Sequence, residues 1–238
     1  MGRSVKRDAF VSWSGGKDAA LSCYRAMNDF RITCLLNMVD EDGRFSRSHG
    51  IRTDVVRLQG EAMGLPVLQR RCSWETYEAE FKKALSTLKD RGIEAGIFGD
   101  IDLEGHREWV ELISRESAME AVLPLWGETS RETLLKELID SSFEAVIVAV
   151  KRDVLGPQWL GRSIDLDFIR DISKVTGVDS SGEEGEYHTL VVSGPIFKKR
   201  LSIVKSEKVT RNQHCFLDIV ECELEEGENV QMQGLSID

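Results

Sequence analysis

The sequence predicts an α/β protein: a parallel five-stranded sheet flanked by helices, followed by a smaller C-terminal α+β part with antiparallel strands. Up to Val150, short apolar runs alternate with helical patterns, an order typical of parallel sheets. The apolar runs are continuous rather than alternating, as expected for strands covered on both faces. Beyond Val150, three strand patterns follow without long helices between them, which favours antiparallel pairing.

The elements of the first part follow one another closely. Glycine and proline separate them: Gly64 and Pro66 end the second helix, and Gly92 ends the third. The predicted strands are 9–13, 32–39, 65–69, 95–98, 122–126 and 143–150, and the predicted helices are 19–29, 51–63, 74–91, 104–121 and 131–140.

These patterns divide the chain into residues 1–150, residues 151–224 and an acidic tail, 225–238, that we expect to be mobile. The middle part begins with an irregular helical stretch. Its predicted strands are 186–192, 200–208 and 215–224. Antiparallel strands of this kind leave a sheet edge exposed, which is compatible with a homodimer.

Composition limits the function classes. The 238 residues carry a net charge of −10, which argues against bulk nucleic-acid binding because duplex-binding proteins are usually basic. The longest apolar run, 145–150, is too short to cross a membrane. The basic start lacks a signal-peptide core, so we expect a cytoplasmic protein. Five cysteines without a Cys-x-x-Cys pair favour reduced, buried thiols over a zinc ribbon.

The motif Ser14-Gly15-Gly16-Lys17-Asp18 lies between the first strand and the first helix. A helix N-terminus presents unpaired N–H groups, and two glycines let the backbone approach a ligand closely. With the Ser14 hydroxyl and the Lys17 ammonium, these features predict a cradle for phosphate groups. Asp18 would repel phosphate unless a cation such as Mg²⁺ lies between them, so Asp18 is the candidate metal ligand. The motif is neither Walker A nor the dinucleotide fingerprint.

A second polar group occupies residues 183–186, where three carboxylates lie beside His188 and Thr189. Carboxylates attract ammonium, which must lose a proton to become a nucleophile, so an acid–base or ammonia-handling site is one interpretation. A metal site and a solvated acidic turn are the alternatives.

Single residues near predicted strand ends complete the candidates. His49 follows the second strand and Asp100 ends the fourth, at the edge where α/β sheets bind ligands. Arg107 and Trp126 are weaker candidates. His106 and His214 are expected at the surface.

These motifs together resemble a known family. Ser-Gly-Gly-Lys-Asp resembles the pyrophosphate loop of the N-type ATP pyrophosphatases, a Rossmann-like superfamily of the HUP type. Gly182-Glu183-Glu184-Gly185-Glu186-Tyr187-His188-Thr189 resembles the Gly-Glu-Asn-Gly-Glu-Phe/Tyr-His-Thr motif of the diphthine–ammonia ligase family, and Gly194-Pro195-Ile196-Phe197 is similar to the motif that follows it. The family's order is also matched by Gly99-Asp100-Ile101, Pro124-Leu125-Trp126 and Leu160-Gly161-Arg162, so the resemblance covers nearly the whole chain.

The resemblance implies an ATP-dependent ligase that adenylates an acceptor carboxylate, releases pyrophosphate with Mg²⁺ present, and aminates the product with ammonium. The family's acceptor is diphthine, a modified histidine of elongation factor 2. Residues 1–150 would then be the ATP-pyrophosphatase domain and residues 151–224 the substrate domain. The implied catalytic residues are Lys17, Asp18, Glu183 and Glu186; the implied nucleotide contacts are Ser12, Ser14, Gly15, Gly16, Lys17, Met38 and His49; and the implied substrate contacts are Asp100, Arg107, Trp126, Gly185, His188 and Thr189.

The sequence also departs from the family pattern. Ala19 replaces a usual Ser, Ser181 a frequent Cys, Glu184 an Asn, and Trp109 an Arg. These differences leave the acceptor open. The alternatives are another small carboxylate, an RNA acceptor, which the acidic charge disfavours, and an adenine-nucleotide sensor without turnover.

Overall fold

A computed structural model describes residues 5–127 and 130–226, and the strands in these ranges form two sheets. The first is the parallel sheet that the apolar runs predict. Its strands are β1 (Arg7–Ser12), β2 (Phe30–Val39), β3 (Val67–Arg71), β4 (Ala95–Ile97) and β5 (Glu120–Val122). They are all parallel and lie in the order β3-β2-β1-β4-β5. The α/β fold class is confirmed.

This strand order creates a switch point between β1 and β4. The chain runs outward from β1 to β3 and then returns to β4 on the other side of β1. Loops that leave neighbouring strands in opposite directions open a crevice outside the carboxyl ends of those strands. The motif that begins at Ser14 follows β1, and Asp100 follows β4, so both lie at this crevice.

Within residues 5–127 and 130–226, six α-helices cover the sheets, and the pleat of β1 separates two cores. The helices are α1 (Lys17–Ala26), α2 (Thr53–Met63), α3 (Tyr77–Lys89), α4 (Glu104–Glu116), α5 (Arg131–Asp140) and α6 (Leu166–Ile172). Ala9 and Val11 face a core that includes α1, α2 and α5. Phe10 faces the opposite way, into a core formed with α3 and α4.

The second sheet contains β6 (Glu144–Lys151), β7 (Tyr187–Ser193), β8 (Lys199–Arg211) and β9 (His214–Glu226). Its order is β7-β6-β9-β8, and neighbouring strands are antiparallel, as predicted. The sheet shares one apolar core with β1, α1 and α2. Strands β7 and β8 form its edges, and the homodimer stays a prediction.

The strand predicted at 143–150 is present, but grouping it with the parallel sheet is wrong. As β6 it pairs with β7 on one side and β9 on the other. A central strand of either sheet is covered on both faces, so a continuous apolar run does not distinguish the two settings. The domain division at residue 150 stays a prediction.

Two predicted boundaries also shift. The helix expected to reach residue 121 ends at Glu116, because the chain reverses at Ala118, which has φ of 51°. The next strand, β5, is Glu120–Val122 and shares only Val122 with the predicted strand 122–126, because residues 124–127 form a turn instead. The tail predicted from residue 225 loses its first two residues to β9, and the rest of it lies outside the described residues.

The expectations for cysteines are confirmed. All five are free thiols, and Cys23, Cys34, Cys72 and Cys215 are buried. Burial raises the pKa of Cys23 to about 12, which keeps its thiol protonated. In the part of the chain that the structure describes, no helix combines the length and apolar character needed to span a bilayer.

Candidate active site

The segment between β1 and α1 forms a tight loop, which we call the phosphate loop (residues 14–18). Gly15 has φ of 90°, a conformation that other residues rarely adopt. Gly16 lies so close to His49 that an added Cβ would be 2.3 Å from its Cε1 atom. Helix α1 starts at Lys17, so its first N–H groups point towards the crevice between β1 and β4. The loop therefore has the geometry that the motif predicts.

Three side-chain and backbone contacts from distant elements hold this loop. The hydroxyl of Thr189 in β7 accepts a hydrogen bond from the Lys17 N–H at 3.0 Å. The Val191 N–H, also in β7, donates to the Gly15 carbonyl at 2.9 Å. Buried Gln59 of α2 donates to the carbonyls of Gly15 (3.0 Å) and Val191 (2.8 Å). The loop is thus fixed by both halves of the chain.

Lys17 lies at the centre of a group of charges. Its Nζ atom is 2.8 Å from both carboxylate oxygens of Asp18 and 3.2 Å from Glu183 Oε1. Only 7% of the Lys17 side chain is exposed. Burial opposes its charge, but the carboxylates outweigh this effect and hold the pKa of Lys17 above its usual range. Burial raises the pKa of Glu183 to about 7, against the attraction of Lys17.

Two cavities open beside the phosphate loop. The smaller, which we call the polar cavity, has a volume of about 190 Å³. The larger, the aromatic cavity, has a volume of about 530 Å³ and its wall includes five aromatic side chains. Those side chains are Trp74, Tyr77, Phe81, Phe98 and Trp109. The two cavities meet at Asp18, His49, Gly99, Asp100 and His106.

The predicted site residues distribute between these cavities. Ser12 and Ser14 line the aromatic cavity. Lys17, Glu183, Gly185, His188 and Thr189 line the polar cavity. Asp18, His49 and Asp100 line both.

The two glutamates named by the sequence have different surroundings. Glu183 lines the polar cavity. Glu186 is 3% exposed, and its carboxylate accepts hydrogen bonds from the backbone N–H groups of Asp179 (2.8 Å) and Glu184 (3.0 Å). Glu186 therefore shapes the turn that carries Glu183, and it does not line either cavity.

Arg131 ties the same turn to the first sheet. Its guanidinium makes two hydrogen bonds with Asp102, at 2.7 and 2.9 Å, and an ion pair of 3.2 Å with Asp179. Asp179 in turn accepts from the Glu183 N–H at 2.9 Å. The position of Glu183 thus depends on a chain of contacts that begins after β4.

His49 and His188 form a stacked pair on the polar cavity, with ring centroids 4.6 Å apart. His49 Nδ1 lies 3.1 Å from the Thr189 carbonyl, and since a carbonyl only accepts, Nδ1 carries the proton. Burial lowers the pKa of His49 to about 4 and places the pKa of His188 well below its usual range. Both rings are neutral near pH 7.

Three of the residues implied as contacts lie elsewhere. Met38 is buried among the apolar side chains on the α3 and α4 face. The Arg107 guanidinium lies 5.2 Å from the centroid of the Trp126 ring and pairs with Glu111. None of these three residues lines either cavity, so their roles as ligand contacts stay predictions without geometric support.

Several residues at the site escaped the sequence reasoning. The aromatic wall comes from α3 and the turn before it, from α4 and from the residue after β4, and the apolar stripe of the α3 segment predicts a core face. Gln59 carries no motif. His106 is exposed, as expected, but it also lines both cavities, and its place six residues after Asp100 was the available signal.

The arrangement suits a nucleotide with its metal better than a metal held by protein alone. No group of three or more metal-binding side chains occurs among the residues that the structure describes. Mg²⁺ is commonly held by one or two carboxylates together with substrate phosphates. Asp18, 29% exposed at the phosphate loop, fits that mode.

Fold and site together define an α/β protein with a glycine-rich strand-to-helix loop at the switch point of its sheet, a place and geometry typical of anion-binding loops. The family model for the diphthamide synthase N-terminal domain matches residues 7–121, and that for the C-terminal domain matches residues 130–224. The chain therefore belongs to the diphthamide synthase family and contains both of its domains in order.

Curated relatives agree with the family. The chain is 28% identical to the diphthine--ammonia ligase of Rattus norvegicus over 234 residues, covering 87% of this chain and 86% of that protein. It is 29% and 28% identical to the proteins of the same name from Bos taurus and Homo sapiens, with the same coverage. Among solved structures, it resembles one described as a predicted subunit of tRNA methyltransferase from Methanocaldococcus jannaschii. That likeness has a TM-score of 0.42 and 18% identity, over 79% of this chain and 98% of that one.

Proposed function

We propose that the chain is an ATP-dependent ligase that adenylates a carboxylate on elongation factor 2 carrying diphthine and converts it to an amide with ammonium. The observation that carries this proposal is the direct contact of Lys17, in the phosphate loop, with Glu183, in the motif that resembles an ammonia-handling segment. Nucleotide chemistry and amination would take place in adjoining cavities. The names of the curated relatives support the same acceptor and nucleophile.

The cavities support a division of labour for ATP. The phosphate loop lies between the two cavities. When the phosphates are bound to its N–H groups and to Lys17, the nucleoside can therefore lie in the aromatic cavity. Rings such as those of Tyr77 and Trp109 offer flat apolar surfaces for a base. The polar cavity remains for the acceptor carboxylate and ammonium.

Mg²⁺ bound with the nucleotide would be held by Asp18 and would neutralise phosphate charge next to that carboxylate. Lys17 supplies a fixed positive charge on the same loop, and its contacts with Asp18 and Glu183 keep it charged. Aligned N–H groups at the start of α1 would stabilise negative charge that develops on the leaving pyrophosphate.

In the first step an oxygen of the acceptor carboxylate attacks the α-phosphorus, and the bond from that phosphorus to the pyrophosphate oxygen breaks. In the second step the ammonia nitrogen attacks the acyl carbon, the bond from carbon to AMP breaks, and the nitrogen gives up one proton to water as the amide forms. Glu183 is placed to attract ammonium into the polar cavity. Placing the reactants side by side accounts for much of the catalysis in such a scheme.

The test measures pyrophosphate and AMP release from ATP with Mg²⁺ and ammonium, with and without elongation factor 2 carrying diphthine. We expect release that depends on the factor, and a mass change on the factor that corresponds to replacement of OH by NH₂. The Asp18→Asn variant should lose release, whereas Asp140→Asn, an exposed acid at the end of α5, should retain it. Tight ATP binding without release would overturn the proposal in favour of a nucleotide sensor, and release that depends on a different acceptor would overturn the choice of elongation factor 2.

A further inference from the structure

The pair formed by His106 and Asp100 lies where the two cavities meet, and the reaction described above gives His106 no role. We propose that His106 accepts the proton that ammonium must lose before it can aminate the acyl-adenylate. This inference rests on the proposed function. It assigns the base that the two-step scheme requires.

The geometry of the pair suits a proton acceptor. Asp100 follows β4, and its Oδ1 atom lies 3.2 Å from His106 Nδ1, in the first turn of α4. Because a carboxylate accepts hydrogen bonds, this contact places the neutral ring's proton on Nδ1 and leaves Nε2 free to accept one. A carboxylate that orients an imidazole also stabilises the imidazolium that forms.

The carboxylates of the polar cavity are less suited to this step. Both Asp18 and Glu183 are within hydrogen-bond distance of the Lys17 Nζ atom. They can attract a second ammonium group. A proton passed to Asp18 would remove the closest charge partner of Lys17, and the largely buried side chain of Glu183 offers a proton a poorer route to water than His106 does. Their contacts therefore favour binding of ammonium over its deprotonation.

The other two histidines of the site are also less suited. His49 uses Nδ1 to donate to the Thr189 carbonyl, and its ring stacks on that of His188. Burial lowers the pKa of both rings, so a proton taken up there is held weakly. His106, in contrast, has a side chain that is 66% exposed and can pass a proton to water.

The proposed step balances as follows. An N–H bond of ammonium breaks, the proton bonds to His106 Nε2, and the electron pair stays on the ammonia nitrogen. That nitrogen attacks the acyl carbon, and AMP leaves with the electrons of the carbon–oxygen bond. The added nitrogen gives up a second proton to water, so the amide product carries two N–H bonds. The imidazolium then releases its proton to water, which restores the neutral ring.

The experiment compares two nucleophiles in the His106→Gln variant. Hydroxylamine is mostly uncharged at neutral pH, so it can attack the acyl-adenylate and form a hydroxamate without a base to deprotonate it first. With ammonium, we expect amide formation to fall by about 100-fold or more. With hydroxylamine, hydroxamate formation should remain close to that of the unsubstituted protein, and the exchange of pyrophosphate into ATP, which reports adenylation, should be retained.

Two further variants sharpen the result. Asp100→Asn should reduce amide formation from ammonium less than His106→Gln does, because it removes only the partner that orients the ring. Its hydroxamate formation from hydroxylamine should also remain close to that of the unsubstituted protein. Glu108→Gln, on the exposed side of the same helix, should behave like the unsubstituted protein. Equal losses with ammonium and hydroxylamine in His106→Gln, or no loss with ammonium, would overturn the role of His106 while leaving the ligase in place. Absence of both products with the unsubstituted protein would overturn the ligase itself, and this inference with it.

Discussion

Lys17 keeps its charge in an enclosed position because two carboxylates lie within 3.2 Å of its Nζ atom. The positive charge is thereby fixed at the phosphate loop before any ligand arrives. An incoming phosphate would compete with Asp18 and Glu183 for the same ammonium group. Binding of a phosphate to Lys17 would therefore also change the contact between Lys17 and Glu183, and with it the turn that carries Glu183.

Substituting the two glutamates separately tests their different surroundings. Glu183→Gln should raise the KM for ammonium, because Glu183 lines the polar cavity. It should lower the free energy of unfolding less than Glu186→Gln does, since the new amide oxygen can still accept a hydrogen bond from the Lys17 ammonium. Glu186→Gln should lower the free energy of unfolding by about 1–3 kcal/mol, since its amide can match only one of the two N–H donors. Urea unfolding and ammonium titrations measure both quantities, and the opposite pattern would contradict this assignment.

His49 predicts a dependence of stability on pH. Its pKa is near 6.5 in an unfolded chain and about 4 in the folded protein, so between these values the unfolded chain binds a proton that the folded one does not. The free energy of unfolding should therefore fall as the pH drops from about 6.5 to about 4, by up to about 3 kcal/mol for this group.

The comparison is with His49→Asn, whose side chain does not titrate in this range. Urea unfolding at pH 7 and pH 4.5 should give a smaller difference for the variant than for the unsubstituted protein. A residual slope is expected, because burial also lowers the pKa of His188. Identical differences in the two proteins would contradict the role given to His49.

Among single residues, the sequence predicted those whose chemistry belongs to a recognisable motif. The phosphate loop and Glu183 could be predicted because glycine, lysine and carboxylate have few reasons to occur together at a strand–helix junction. Glu186 is also a glutamate and follows Glu183 by three residues, but its role depends on which N–H groups donate hydrogen bonds to its carboxylate. That information exists only once the turn has folded.

Helix α2 supports the phosphate loop from behind through a single buried amide. Gln59 is fully buried, accepts a hydrogen bond from the Trp13 indole N–H at 2.9 Å, and donates to the carbonyls of Gly15 and Val191. These contacts join α2, β1 and β7 at one point. The backbone conformation of the phosphate loop therefore depends on contacts with α2, with the end of β1 and with β7.

Gln59→Leu should lower the free energy of unfolding by about 2–4 kcal/mol, because it leaves the Trp13 N–H and the Val191 carbonyl buried with fewer partners. It should also weaken ATP binding, because Gly15 loses a contact that sets its carbonyl direction. Urea unfolding and calorimetric titration with ATP check the two effects. Gln158→Leu, at an exposed position, is the matched control; equal effects in both variants would contradict the argument.

The sequence predicted the positions of the strands better than it predicted which strands pair with each other. Every strand of the first sheet and the hairpin of β8 and β9 corresponds to a predicted apolar segment. The sequence could not assign β6 to its sheet, because pairing is decided by strands more than 35 residues away, at β7 and β9. The contacts of Gln59 and Arg131 likewise connect distant segments and leave no local pattern.

The whole molecule is organised around one apolar core that both sheets share. Val11 of β1, Val55 of α2 and Leu190 of β7 belong to the same cluster. Arg52, just before α2, also pairs with Asp218 of β9 at 2.6 Å. If the part of the chain around either sheet unfolded, apolar surface of the part around the other sheet would become exposed to water.

We therefore expect a single unfolding transition. Cys23 in α1 and Cys215 in β9 are both buried, so they report the two halves separately. In increasing urea, both thiols should become reactive to a labelling reagent at the same midpoint, as measured by mass spectrometry of the labelled peptides. Cys222, which is less buried, serves as an internal reference; separated midpoints for Cys23 and Cys215 would contradict a shared unit.

The hydrogen bond from Val191 to Gly15 has a consequence for a chain still being synthesised. The phosphate loop leaves the ribosome before the strand that supports it, which follows more than 170 residues later. Until then the loop lacks the contacts of Thr189 and Val191, and Lys17 lacks Glu183. The phosphate loop thus acquires its supported conformation only after the chain has been synthesised past β7.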